Sequence, residues 1–138
     1  MRQVFADTSY WVALFDLTDP FHDAAEAAAR DLAGCPLVTT EMVLGEFLSF
    51  MSRQRPLVRK RAAQFVRRIV GSPDLECPST DRMLFLSAVS LYERRADKTY
   101  SLTDCVSMLV MRERRLRDVL TTDRHFEQEG FRVLLPTA

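Results

Sequence analysis

An α/β fold of Rossmann-like type, a mostly parallel sheet with helices on both faces, follows from three observations on this 138-residue chain. Short apolar runs of strand length alternate with longer segments of helical periodicity from end to end, the order that builds parallel sheets. The segment Cys105-Val106-Ser107-Met108-Leu109-Val110-Met111 is apolar nearly all round, as a central buried helix must be. Two apolar runs, Val4-Phe5-Ala6 and Val119-Leu120-Thr121-Thr122, end in an aspartate, Asp7 and Asp123. Ligands of open α/β sheets bind beyond the carboxyl ends of the strands, where both acids are placed.

Residues Gln3 to Ala6 form the first strand, and a helix is expected from Ser9 to about Asp16. The Ala-rich stretch from Pro20 to Ala33 is a second helix, since proline suits a first turn and Gly34 a stop. Leu37-Val38-Thr39 is a short strand leading into a helix over about Glu41 to Arg53. Pro56 opens a fourth helix, with Val58, Ala62, Phe65, Val66 and Ile69 on one side and Lys60, Gln64, Arg67 and Arg68 on the other. Gly71-Ser72-Pro73 ends it, and Leu75-Glu76-Cys77 is the next strand. Helices over Thr80 to Arg95 and Thr103 to Arg115 flank a polar loop. Strand Val119 to Thr121, a turn of helix at His125 and a strand from Phe131 to Leu134 finish the chain. No internal repeat, low-complexity segment or second domain is evident, so residues 1–138 form one domain.

Hydrophobic residues make up 47% and charged residues 28%, the composition of an ordinary globular protein long enough to bury a core. The start is broken too soon by Asp7 to act as a signal peptide, and no stretch approaches the roughly 20 apolar residues that cross a bilayer. A cytoplasmic protein without membrane contact is expected. Cys35, Cys77 and Cys105 are odd in number and lack CxxC spacing, which argues for reduced thiols and against structural zinc. Basic and acidic residues balance at 19 each. Setting aside four acids as metal ligands leaves a surplus of four positive charges, almost all arginine, whose fork suits phosphate oxygens.

Those four are Asp7, Glu46, Asp104 and Asp123, the candidate catalytic and metal-ligating residues. Converging carboxylates repel one another and titrate upward unless a cation lies between them. Hard dications such as Mg²⁺ or Mn²⁺ prefer carboxylate and water oxygens, so one or two such ions are expected. Each acid also has a local alternative. Asp7 and Asp123 stand where they would cap the helices that follow, and Ser101 with Asp104 has capping-box spacing. Glu46 discriminates best, because Val43, Phe47 and Phe50 place it on an apolar helical face, where an acid is costly unless paired. Arg53 is its local alternative partner.

Together VFADTS, the run from Thr39 to Glu46, SLTDCVSMLVMRER and LTTDRHFEQEGF resemble the PIN-domain ribonucleases, especially VapC-like toxins of toxin–antitoxin pairs. The resemblance spans nearly the whole chain. SLTDC followed by TTDRHF is its specific part, whereas the middle helices from Arg53 to Arg95 match only in character. It implies about five parallel strands and a Mg²⁺- or Mn²⁺-dependent endoribonuclease with Asp7, Glu46, Asp104 and Asp123 at its centre. Thr8, Ser9, Ser101 and Thr122 are implied as hydrogen-bonding neighbours. An RNA substrate, a cognate antitoxin and a homodimer are the implied partners.

Candidate phosphate contacts are Arg53, Arg55, Arg59, Lys60 and Arg124, whereas the run Arg112 to Arg117 reads as a basic helix end favoured by the dipole. His125 is expected on the surface near the site. Tyr10 and Trp11 are expected mainly in the core, with a base-binding groove as the alternative. The competing functions are a PIN-type RNA-processing nuclease without an antitoxin and a non-catalytic RNA- or protein-binding relative. A phosphoacceptor domain fits less well, because Asp7 lacks an acidic neighbour and no lysine follows a late strand.

Overall fold

A computed structural model describes residues 2–136; Met1, Thr137 and Ala138, which the expected domain span includes, lie outside it. The order of elements is β1 (Val4–Ala6), α1 (Thr8–Phe15), α2 (His22–Asp31), β2 (Leu37–Val38), α3 (Glu41–Met51) and α4 (Pro56–Gly71). There follow β3 (Leu75–Glu76), α5 (Arg82–Arg94), α6 (Leu102–Glu113), β4 (Asp118–Leu120), α7 (His125–Gln128) and β5 (Arg132–Val133). The five strands form one sheet in the order β3-β2-β1-β4-β5, and every neighbouring pair is parallel. The expected fold is therefore present, with the expected ends differing by one or two residues at most elements.

Central strands β1 and β4 carry no side-chain alternation because both faces of the sheet are covered. Val4, Phe5, Ala6, Val119 and Leu120 are all fully buried although successive side chains point to opposite faces. On α6, Cys105, Val106, Met108, Val110 and Met111 are buried on every side, as its apolar sequence requires. Its start is fixed by a reciprocal capping box between Ser101 and Asp104. Asp81, not Thr80, caps α5 by accepting from Leu84 N, which shortens that helix against expectation. Helix α3 buries Val43, Leu44, Phe47 and Met51, so Phe50 lies outside its buried face and is exposed. Tyr10 and Trp11 are core residues, and the Trp11 indole N–H donates to Thr39 Oγ1. A groove-lining role for those two rings is thereby overturned. No helix among the described residues is long and apolar enough to cross a membrane.

Two charged clasps tie the ends of elements together. At the amino end of the sheet, Arg2 and Arg132 both fork onto Asp118, which joins the approaches to β1, β4 and β5. On the return toward β5, Glu129 accepts from Arg95, Arg112 and Tyr100, fastening the segment after α7 to α5, α6 and the loop between them. The Arg95 guanidinium, helped by Arg112 and Tyr100 against the cost of burial, holds the Glu129 carboxyl down at about 2. A lowered value means that this stability is complete above the ordinary carboxyl value of 4.5 and is lost as pH falls toward about 2. Replacement Glu129→Gln should cost on the order of 2 kcal/mol in urea unfolding at pH 7. The deficit should shrink as pH is lowered from 5 to about 3.

Candidate active site

The carboxyl ends of β1 and β4 bring the acids together. Asp7 follows β1, Thr121, Thr122 and Asp123 follow β4, Glu46 projects from α3, and Asp104 lies in the first turn of α6. All four carboxylates line one cleft of about 480 Å³, with Thr8, Ser9, Thr122 and a further acid, Asp19. Val12, Pro20, Phe21 and Phe50 supply its apolar rim. No lysine or arginine is among the lining residues.

Asp7 occupies the N-cap position of α1 but makes no capping hydrogen bond, which overturns its local alternative. Its Oδ2 instead accepts from Thr121 Oγ1 at 2.8 Å. Because that hydroxyl proton is committed to Asp7, the Ser9 hydroxyl is the donor in its 3.0 Å contact with Thr121 Oγ1. Ser9 Oγ in turn accepts from Thr122 N, and Thr121 Oγ1 also accepts from Asp123 N. A directional chain of donors thus runs from the backbone after β4 to Asp7, and each link polarises the next. Thr121 is a site residue that the sequence reading passed over; its buried position directly before Thr122-Asp123 at a strand end was the available signal.

Oδ1 of Asp7 is buried and accepts no hydrogen bond from any described residue. Burial first, then the charges of Asp104 and Glu46, push its carboxyl up to about 7, against the opposing pull of the Thr8 backbone and the Thr121 hydroxyl. Asp104 is also raised, chiefly by burial. An orphaned carboxylate oxygen among further carboxylates, with no cationic side chain in the lining, is a donor set for a hard dication. The residues present therefore fit Mg²⁺ or Mn²⁺.

Glu46 is half-buried at the border of the apolar face, and its Oε1 accepts from Thr8 Oγ1 at 2.6 Å. Thr8, rather than Arg53, is its partner. Asp104 and Asp123 keep their local roles and serve the cleft as well. Asp104 Oδ2 accepts from Ser101 N, and Asp123 Oδ1 accepts from His125 N at 2.9 Å. The His125 Nδ1 atom lies 3.2 Å from both Asp104 Oδ2 and Asp123 Oδ2. Thr99 Oγ1 at 2.9 Å from Nε2 and the Tyr100 ring, 5.2 Å between centroids, hold the imidazole there. His125 is thus no bystander: with Asp104 and Asp123 it forms a group whose ligand atoms lie within 4.8 Å of one another. Ser101 stays exposed and acts through its cap.

The expected phosphate contacts fare differently. None of Arg53, Arg55, Arg59, Lys60 and Arg124 lines the acidic cleft, and Arg59 Nη1 is engaged by the Ser52 carbonyl.

Because the folded protein binds the Asp7 proton more tightly than the unfolded chain does, its stability contribution is full below 3.8 and is lost as pH rises through about 7. Metal-free protein should therefore melt several degrees higher with Asp7→Asn than without it at pH 8, and the gain should shrink at pH 5 and vanish only below 3.8. Millimolar Mn²⁺ at pH 8 should raise the melting temperature of the parent and leave Asp7→Asn nearly unmoved. Differential scanning fluorimetry reads both.

A family model of the PIN domain matches residues 4–131. The chain is 29% identical over 130 residues to the 23S rRNA-specific endonuclease VapC20 of Mycobacterium tuberculosis, covering 93% of this chain and 95% of that protein. The crystal structure of Mycobacterium tuberculosis VapC20, described as a Sarcin-Ricin loop cleaving toxin, matches with a TM-score of 0.83 and 28% identity over 96% of this chain and 99% of that chain. VapBC2 from Rickettsia felis, bound to a DNA fragment from their promoter, matches with a TM-score of 0.68 over 95% of this chain and 96% of that chain. At 11% identity that likeness is one of fold alone. With the family model spanning β1 to β4 and every acid of the cleft, the chain belongs to the PIN-domain family.

Proposed function

We propose that this protein is a dication-dependent endoribonuclease and the toxin of a toxin–antitoxin pair. The observation that carries the reading is the orphaned, buried oxygen of Asp7 in a cleft lined by four other carboxylates and no basic side chain. Asp7, Glu46, Asp104 and Asp123 hold the Mg²⁺ or Mn²⁺, with His125 beside the last two. When bound, such an ion polarises a phosphoryl oxygen and acidifies water. The chain supplies the rest. Thr121 and Ser9 aim Asp7, Thr8 aims Glu46, and the Ser101 amide holds Asp104. Phe21 and Phe50 give the rim apolar surface on which an unstacked base can rest.

Ribosomal RNA is the first substrate to assay, because VapC20, at 28–29% identity, is a 23S rRNA-specific endonuclease. An antitoxin partner belongs to the same reading. The exposed apolar side chains Met83, Leu86, Val89 and Tyr92 of α5 support self-association as a homodimer. A processing nuclease without an antitoxin is the second reading, separated from the first by whether a small upstream open reading frame neutralises the protein on co-expression.

Glu46→Gln and Asp123→Asn should each abolish Mn²⁺-dependent cleavage of ribosomal RNA while the fold is kept. Thr121→Val should lower it by roughly 10–100-fold, the scale of losing a partner that orients a ligand. Cleavage that survives in EDTA, or in Glu46→Gln at the parent rate, sinks the proposal.

A further inference from the structure

A second concavity lies at the other end of the sheet. Arg2 precedes β1, Arg117 precedes β4 and Asp118 begins it, Arg132 begins β5, and Arg114 and Arg115 follow α6; together they line a cleft of about 500 Å³. Five guanidiniums and one carboxylate, that of Asp118, line it. Asp118 is shared by Arg2 and Arg132, and Arg114 pairs with Glu76. The Arg115 and Arg117 side chains are exposed and have no hydrogen-bond or ion-pair partner among the described residues. They flank Leu116, whose side chain is buried and fixes the tripeptide against the core.

Arg115 is placed at a cost. Its φ is 57°, and it occupies the C′ position of a Schellman turn in which Leu116 N bonds Met111 O and Arg115 N bonds Arg112 O. Glycine is the residue that this backbone favours, because a Cβ strains the left-handed region. A strained arginine in place of the relaxed glycine, pointed at a cleft already rich in arginine, directs attention to the charge it delivers.

We infer that this amino-end cleft binds the phosphodiester backbone of structured RNA while the acidic cleft at the carboxyl end works on another part of the same molecule. The inference rests on the ribonuclease reading and adds to it where the RNA is gripped. The charged residues lining the working cleft are all acids and repel a polyanion, so the grip must come from elsewhere. Five residues of chain, Arg2 to Asp7, separate the two ends, roughly 17 Å at strand rise, which is less than the width of a folded RNA stem. Arg115 and Arg117 carry the contact because their charges are not committed within the protein.

The test is Arg115→Gly combined with Arg117→Ala. Binding of an RNA stem-loop of about thirty nucleotides is measured in EDTA across a salt series, and Mn²⁺-dependent cleavage of the stem-loop and of a tetranucleotide is followed in parallel. Expected are a roughly tenfold weaker Kd at low salt and a log–log salt slope shallower by about 1.4–1.8, from 0.7–0.9 per lost contact. Tetranucleotide cleavage should be unchanged, because so short a strand does not reach round the sheet. Arg115→Gly alone should raise the melting temperature while weakening RNA binding, a pair of opposite effects that a structural role does not produce. An unchanged Kd and slope overturn the inference, as does loss of binding to a polyglutamate peptide without loss of RNA binding, which would assign the cleft to an acidic protein segment. Normal tetranucleotide cleavage beside an unchanged Kd would leave the nuclease reading standing. A parent protein that neither binds nor cleaves RNA would remove both.

Discussion

Carboxylates crowded beyond the ends of parallel strands, with no cationic side chain among the lining residues, are the constraint on which the rest of this structure depends. Each ionised acid raises the cost of ionising the next, and burial adds to that cost at Asp7 and Asp104. A fold selected for stability alone would not keep such a group. The surrounding hydroxyls reduce the cost without cancelling it: Thr121 serves one oxygen of Asp7 and leaves the other bare. That incomplete satisfaction separates this cluster from an ordinary buried ion-pair network, of which Glu129, with its two arginines and a tyrosine, is the example in the same molecule.

Local structure and site chemistry use the same atoms here. Asp104 is a helix cap and a cleft residue, and Asp123 accepts from the His125 amide while its other oxygen faces the imidazole. A capping interaction fixes a carboxylate to the backbone of a rigid helix, which is what a ligand held in a narrow geometry requires. Capping and cleft geometry therefore reinforce each other at the start of α6. At Asp7 they are separated, because α1 begins without a side-chain cap.

A formal charge of zero conceals a strongly divided surface. Acids gather at the carboxyl end of the sheet and arginines at its amino end, because every strand points the same way and each end collects the loops of one kind. A chain can thus be neutral in sum and still present a polyanion with one attractive and one repulsive end.

Much of this was legible in the sequence. Apolar runs with no polar alternation announced strands covered on both faces, and the apolar α6 announced a central helix, since burial on all sides leaves no other pattern. The four acids were identifiable because each sits at a strand end, a helix start or an apolar border. What the sequence could not decide was which local hydrogen bonds would form and which long-range ones would replace them. Asp7 gave up its cap for Thr121, over a hundred residues away, and Glu46 took Thr8 instead of the nearby Arg53. Asp19, Phe21 and Phe50 joined the cleft, His125 met Asp104 and Asp123, and the arginines around Asp118 met, only because the crossover helices bring distant loops to a shared end of the sheet. Periodicity records which way a side chain faces within its own element; which partners it then meets is fixed by the packing of elements far apart in the chain.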